Sequence, residues 1–230
     1  FTPRKPQLDR LKEYEDNGID YIIRDPEKYR DKKVLIAGGG DSALDWTIFL
    51  SNIAAEITLI HRRSEFRGAI DSVEKIQFLK NKNKIKLFTP AEVFKLEGKN
   101  SLEAIYFTHR EQEKKIQIDY FIPLFGLTPK LGPIADWGLE IEKNAIKVNN
   151  SIDYQTNIPG IYAIGDVNIY PGKLKLILCG FHEATLMCQS AYSRIHPKKK
   201  NILKYTTVSG ITGFDGTRKE AQKSTIRAIE

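Results

Sequence analysis

The chain has 230 residues, of which 41% are hydrophobic and 10% aromatic, enough for one large domain or two modest ones and too much for a mainly disordered chain. No apolar run approaches the ~20 uncharged residues of a membrane helix, and no basic-then-apolar leader is visible, so we predict a soluble protein without a membrane partner or secretory signal. The net charge of +7 is compatible with nucleic acid, an acidic protein partner or a phosphorylated cofactor, and does not choose among them.

The two cysteines, Cys179 and Cys188, stand nine residues apart. They are too few for a disulfide framework and wrongly spaced for a zinc site or a C-x-x-C redox pair. We therefore predict a reducing, cytoplasmic location, no metal site, and cysteines that serve as buried packing residues.

The first half of the chain alternates between strand and helix patterns, which is typical of a βαβ arrangement. Residues 1–30 are polar and interrupted by prolines, and we interpret them as a connector with one short helical pattern. Three short alternating segments then indicate an inserted β-meander. The predicted elements are strands over 33–37, 56–60 and 84–88, helices over 41–54 and 70–79, meander strands over 91–96, 102–109 and 115–120, and an apolar run over 120–125.

The pattern changes at Leu127, beyond which loops surround short strands. Residues 160–164 lead into a turn at Gly165 and Asp166, and a helix is predicted over 180–195. Because three glycines (38–40) follow the first strand and open the first helix, we predict an α/β protein in which a Rossmann-type NAD(P)-binding domain with a three-stranded β-meander (31–127) precedes a second part (128–208). No role is assigned to the tail, residues 209–230.

The motif G-x-G-x-x-A directly follows the first strand and opens the first helix, as a dinucleotide-binding turn requires. Its defining residues are Gly38, Gly40 and Ala43, with Gly39 and Ser42 between them. The glycines allow a tight turn and let backbone N–H groups approach a pyrophosphate at the positive end of the helix. The alternative interpretation is that these glycines only form a turn and bind no ligand. Asp41 is predicted to be the N-cap of the helix.

An NAD site places an acidic residue about 20 positions after the glycines, where it binds the ribose 2′-hydroxyl. This chain instead has His61, Arg62, Arg63 and Arg67 in that region. Guanidinium groups pair with a phosphate, whereas a carboxylate would repel it, so the sequence favours NADP over NAD. The alternative is a solvated basic loop.

Residues 36–46 (IAGGGDSALDW) and 61–67 (HRRSEFR) resemble the NADPH domain of the thioredoxin-reductase-like flavoproteins, and more narrowly the ferredoxin-NADP reductases of that group. Residues 160–167 (GIYAIGDV) resemble the second FAD motif of the superfamily, which implies that Asp166, after Gly165, bonds the ribityl chain. Residues 180–184 (GFHEA) and 205–207 (YTT) resemble segments that lie against the flavin, which implies a flavin contact for Thr207.

This resemblance implies that 128–208 form the C-terminal half of an FAD/NAD(P)-binding domain and that the protein is a homodimer. The family's N-terminal FAD segment is expected before Phe1, which we group with the cofactor-binding residues. The implied activity moves a hydride from NADPH to FAD, and then single electrons to ferredoxin or a similar acidic carrier, in either direction. We name no catalytic side chain, because the cofactors carry the chemistry.

Thioredoxin reductases have a C-x-x-C pair at the stretch that reads YIIR here, residues 21–24. Disulfide exchange needs a thiolate, so thioredoxin reduction is not expected. Two alternatives stay open: a remnant that binds NADP(H) without catalysis, and a thioredoxin reductase-related enzyme with another acceptor. A nucleic-acid-binding protein is not favoured, because the sequence shows neither clusters of aromatic and basic residues nor a recognition-helix pattern.

Three further polar residues, Asp45, His182 and Glu183, stand at or near predicted helix starts. No Ser, Cys or metal-ligand spacing around them suggests a hydrolase. We interpret them as caps or solvated residues.

Overall fold

The computed structural model describes residues 1–149 and 152–199, and it divides the chain into two compact units, Phe1–Lys130 and a second that begins at Leu131. The division falls three residues after the one expected from the sequence. Thr207 and the tail 209–230 lie outside the described residues. Unit 1 contains, in order, β1 (Thr2–Pro3), α1 (Leu11–Tyr14), a 3-10 helix (Pro26–Tyr29), β2 (Lys33–Ala37), α2 (Asp41–Leu50), β3 (Glu56–Ile60), α3 (Ile70–Asn81), β4 (Lys86–Phe88), β5 (Ala91–Glu97), β6 (Ala104–His109), β7 (Gln112–Gln117), β8 (Tyr120–Pro123) and β9 (Leu127–Thr128).

A parallel sheet in the order β4-β3-β2-β8 forms the centre of unit 1. Strands β2 and β3 pair from Lys33 opposite Glu56 to Ala37 opposite Ile60. Four of the five residues in each strand are buried, because a parallel sheet is covered on both faces, and this explains their continuous apolar sequences. The carboxyl ends of the strands share one edge, where an α/β sheet binds its ligands.

Helix α2 buries Ala43, Leu44, Thr47 and Leu50, and it ends at Leu50, four residues before the predicted end. The backbone N–H of Ala55 donates to the carbonyl of Lys32 (3.0 Å), so the chain has already turned back towards the sheet at that point. The helical periodicity therefore continues in the sequence beyond the helix itself.

The predicted β-meander is present as the antiparallel sheet β5-β6-β7. Its last strand runs over Gln112–Gln117, earlier than the predicted 115–120. Arg110 and Glu111, both with positive φ, form a two-residue tip that pairs His109 with Gln112. The tight tip places the return strand earlier and leaves Tyr120 free for β8.

Residues 1–30, expected as a connector, supply buried side chains to both hydrophobic clusters of unit 1. Leu11, Tyr14 and Ile19 pack in one cluster, and Ile23 and Tyr29 in the other. Strand β1 pairs with β9, with Thr2 opposite Thr128 and Pro3 opposite Leu127.

Unit 2 contains a small three-stranded sheet and one long helix. Its core consists of Leu139, Ile146, Val148, Tyr154 and Ala163. Within the described ranges, no helix is long and apolar enough to cross a membrane. The elements are a 3-10 helix (Gly132–Asp136), β10 (Ile141–Glu142), β11 (Ala145–Lys147), a 3-10 helix (Gly165–Val167), β12 (Asn168–Ile169) and α4 (Ile177–Ile195).

Candidate functional site

The glycine-rich turn, residues 38–40, connects β2 to α2 at the carboxyl edge of the parallel sheet. A Cβ atom on Gly38 would lie 2.7 Å from both the Cβ of Ala43 and the carbonyl oxygen of Leu124, so no larger residue fits. Gly40, in contrast, has no atom within 4 Å of its Cβ position. The turn is therefore packed tightly on the protein side and open on the other, which is the shape that a bound pyrophosphate needs.

Asp41 does not cap the helix, contrary to the prediction. Gly40 occupies the N-cap position, and no side chain caps this helix start. The Oδ1 atom of Asp41 instead accepts a hydrogen bond from the backbone N–H of Ala69 (2.7 Å). The helix N–H groups are thus left for an anion, and the exposed Ser42 lies in the same first turn.

His61 is buried directly against the glycine-rich turn. A Cβ atom on Gly39 would lie 2.2 Å from the Cε1 atom of His61. The ring also stacks on Phe66, with the centroids 5.4 Å apart, and its Nε2 atom is 3.1 Å from the carbonyl oxygen of Glu65. The backbone N–H of Arg67 donates to the carbonyl of Gly39 (2.7 Å), so the loop 61–67 folds back over the turn.

The environment of His61 keeps its imidazole neutral. Burial lowers its pKa, the hydrogen bond to the carbonyl of Glu65 partly opposes that effect, and the charges of Arg67, Arg62 and Arg63 lower the pKa further. A fourth positive charge beside the three arginines is therefore avoided at neutral pH.

The three predicted arginines are exposed at the same edge of the sheet. Arg62 and Arg67 line the cavity described next, whereas Arg63 lies outside its lining. Throughout residues 1–149 and 152–199, no carboxylate forms an ion pair with any of the three. Unpaired guanidinium groups beside a glycine-rich turn are suited to an anionic ligand.

A cavity of about 930 Å³ extends along the carboxyl edge of the sheet in unit 1. Its lining includes the glycine-rich turn, Ser42, Arg62 and Arg67. Tyr21, Ile22 and Ile23, from the stretch 21–24, also line it and contribute aromatic and aliphatic surface. This volume is typical of a cofactor site.

In unit 2 the Gly165–Asp166 turn is present as expected. Gly165 has a φ of +75°, a conformation that favours glycine, and Asp166 is exposed in the 3-10 helix that follows. Phe1, which was grouped with the cofactor-binding residues, is exposed and is not part of the cavity lining in unit 1.

The interpretation of Glu183 as a cap or solvated residue is wrong. Its side chain is 1% exposed and accepts hydrogen bonds from the backbone N–H of Gly165 (2.7 Å), Asn168 Nδ2 (3.0 Å), the Tyr170 hydroxyl (2.9 Å) and the ammonium of Lys173. Burial acts to raise the pKa of Glu183, but the bonds from Lys173, Gly165 and Tyr170 outweigh it and hold the pKa below its usual value. The carboxylate is therefore ionised inside the unit.

The cysteines also differ from the prediction of buried packing residues, since Cys188 is exposed and Cys179 half-buried. Both lie on α4, where nine residues correspond to about 13.5 Å along the axis. Disulfide formation requires Cα atoms within about 7 Å of each other. The two thiols cannot form an intramolecular redox pair on this helix.

Comparison with known proteins places this geometry in a family. The family model described as "Pyridine nucleotide-disulphide oxidoreductase" matches residues 2–189. The chain belongs to this oxidoreductase family. Its α/β fold resembles two solved thioredoxin reductases. One is from T. acidophilum (TM-score 0.72, 24% identity, covering 84% of this chain and 63% of that one), and the other is from Lactococcus lactis (TM-score 0.70, 23% identity, covering 84% and 63%). The predicted family and fold class are thus confirmed.

Curated relatives in this oxidoreductase family are much more similar in sequence. A "Ferredoxin--NADP reductase" of Flavobacterium johnsoniae is 69% identical over 229 residues, which cover all of this chain and 65% of the relative. The protein of the same name from Flavobacterium psychrophilum is 68% identical, covering all of this chain and 66% of the relative. The chain therefore spans slightly less than two thirds of the length of these relatives.

Proposed function

We propose that this chain carries the NADPH-binding part and a portion of the FAD-binding part of a flavin-dependent oxidoreductase that transfers electrons between NADPH and ferredoxin. We assign NADPH to residues 31–127, FAD to 128–208, and the role of connector to 1–30. The observation that carries the proposal is the cavity in which unpaired arginines stand beside the open glycine-rich turn.

The residues of unit 1 fit NADPH. Gly38 and Gly39 let the turn pack closely against Ala43, Leu124 and His61, and Gly40 leaves its outer side open for the pyrophosphate at the N-terminus of α2. Arg62, Arg63 and Arg67 provide positive charge for the 2′-phosphate. When bound, the nicotinamide supplies a hydride. The role of the chain is to bind the phosphates and hold the dinucleotide along the sheet edge.

The residues of unit 2 fit part of a flavin site. The carboxylate of Asp166 is accessible for a hydrogen bond from a ribityl hydroxyl, as the family motif implies. The neighbouring Asn168 is fully buried, and its Nδ2 donates to the carbonyl of Ala163 (2.8 Å) and to Glu183, which anchors the segment after the turn. The chemistry that FAD would supply at this site is acceptance of a hydride and release of single electrons. Thr207 is proposed as a further contact on the sequence resemblance alone.

Ferredoxin is proposed as the electron partner because the relatives that share 68–69% of their residues with this chain carry ferredoxin in their names. The positive net charge of this chain is compatible with an acidic carrier, since opposite charges accelerate encounter. We further propose that the protein is a homodimer located in the cytoplasm.

The proposal is tested with the complete polypeptide that contains this chain, by following reduction of a ferredoxin at the expense of NADPH or NADH. We expect FAD in the purified protein, a clear preference for NADPH, and no reduction of thioredoxin. Preference for NADH, or thioredoxin as the better acceptor, would contradict the proposed function.

A further inference from the structure

The buried carboxylate of Glu183 joins helix α4 to the segment 165–173. Four donors from that segment converge on its two oxygens: the Gly165 N–H and Asn168 amide on Oε2, and the Tyr170 hydroxyl and Lys173 ammonium on Oε1. Glu183 and Lys173 are 1% and 6% exposed. A single side chain thus fixes both ends of the loop that carries the Gly165–Asp166 turn.

Stability alone is a poor explanation for this arrangement. Taking a carboxylate and an ammonium out of water costs free energy that their attraction recovers only in part, and apolar residues of similar volume are often at least as stable. What the ion pair provides that apolar residues cannot is an acceptor for the backbone N–H of Gly165. That N–H belongs to a residue with φ of +75°, immediately before Asp166.

We propose that Glu183 is a positioning residue for the flavin site: it holds the Gly165–Asp166 turn in the conformation in which the carboxylate of Asp166 receives the ribityl chain. This role rests on the proposed flavin function. Glu183 is enclosed by protein groups and touches no ligand itself, and of its four donors the Gly165 N–H is the one adjacent to Asp166, so we expect its effect on FAD to pass through Asp166.

The closing experiment measures FAD affinity in the complete polypeptide for wild type, Asp166→Ala, Glu183→Gln and the paired variant Lys173→Met with Glu183→Leu. The paired variant removes the acceptor without leaving a buried charge, so its loss of stability is limited to the donors left without a partner, among them the Gly165 N–H. His182→Ala, an exposed neighbour on the same helix, is the matched control. NADP⁺ affinity reports on the integrity of unit 1, and far-ultraviolet circular dichroism with the thermal unfolding midpoint reports on the folding of unit 2.

We expect both Glu183 variants to weaken FAD about 10-fold or more, since a charge-assisted bond is weakened or lost, while NADP⁺ affinity and the His182→Ala protein are unchanged. Adding Asp166→Ala to the paired variant should weaken FAD no further than Asp166→Ala alone, and the visible circular dichroism of residual flavin should change in both. Wild-type FAD affinity in the paired variant, or additive losses, overturns the positioning role alone. A wild-type protein that binds no FAD overturns the proposed function and this role with it.

Discussion

The imidazole of His61 lies against the backbone of Gly39, so closely that a methyl group there would approach the ring to 2.2–2.4 Å. The ring cannot move aside easily, because it is buried and stacked on Phe66. The second glycine of the turn is therefore required by packing inside the protein, whereas the third, Gly40, faces open space. The two positions should respond differently to the same substitution.

Gly39→Ala should destabilise unit 1 by about 1–3 kcal/mol, because the methyl group overpacks against His61. Gly40→Ala should leave stability within about 1 kcal/mol of wild type, since its φ of −103° and ψ of 177° suit alanine. The methyl group on Gly40 should nevertheless weaken NADP⁺, because it occupies the side on which the pyrophosphate approaches. Urea unfolding and NADP⁺ titration of both variants measure the contrast; equal stability losses would contradict it.

The double substitution Arg62→Ala with Arg63→Ala should weaken NADPH and hardly affect NADH. Each charge-assisted contact to the 2′-phosphate should contribute roughly 1.5–3 kcal/mol. Fluorescence titration with both nucleotides measures the difference, and Arg110→Ala, at the tip of the meander, controls for the loss of positive charge. If the double variant loses affinity for NADPH and NADH equally, these arginines do not bind the 2′-phosphate.

His61 should make unit 1 less stable in mild acid. Its folded pKa is lower than the unfolded value of about 6.5, so the unfolded chain takes up a proton first and stability falls as the pH drops below that value. Above about pH 7 both states are neutral and the effect vanishes. Urea unfolding between pH 5 and 7.5, followed by Trp46 fluorescence in a Trp137→Phe background, measures how the free energy of unfolding depends on pH. This dependence should be steeper in wild type than in His61→Phe.

His182→Ala, which removes an exposed histidine, should show the same dependence of unfolding free energy on pH as the wild-type protein. Equal slopes for wild type and His61→Phe would show that the buried imidazole is not the group responsible.

Replacing Cys179 and Cys188 by serine should leave NADPH-dependent ferredoxin reduction largely intact. The two thiols are separated by more than two turns of α4 and neither lies in the cavity of unit 1. Steady-state rates of the double variant and wild type test this. Thioredoxin reduction by wild type that disappears in the variant would restore a dithiol mechanism.

Local sequence patterns predict the elements around the dinucleotide turn well. Strands β2 and β3 have the predicted bounds, because each is a short apolar run ending at a turn or polar loop. The end of α2 is less predictable, since the backbone bond from Ala55 to Lys32 that turns the chain is not encoded in helical periodicity.

Contacts between distant residues explain the errors. Asp41 has the sequence context of an N-cap, yet its partner is the backbone of Ala69, 28 positions away. Glu183 follows a histidine at what reads as a helix start, and its donors come from 10 to 18 residues upstream at irregular intervals. No periodicity marks either pairing, so only the folded chain shows it.

The antiparallel pairing of β1 with β9 brings the two ends of unit 1 together. Thr2 and Thr128 are neighbours across a two-stranded ladder. A module whose ends meet can be inserted into a loop of another protein without forcing that loop apart, and the entropic cost of a longer insertion grows only slowly with its length. The topology of unit 1 therefore suits its transfer into another protein as a single module.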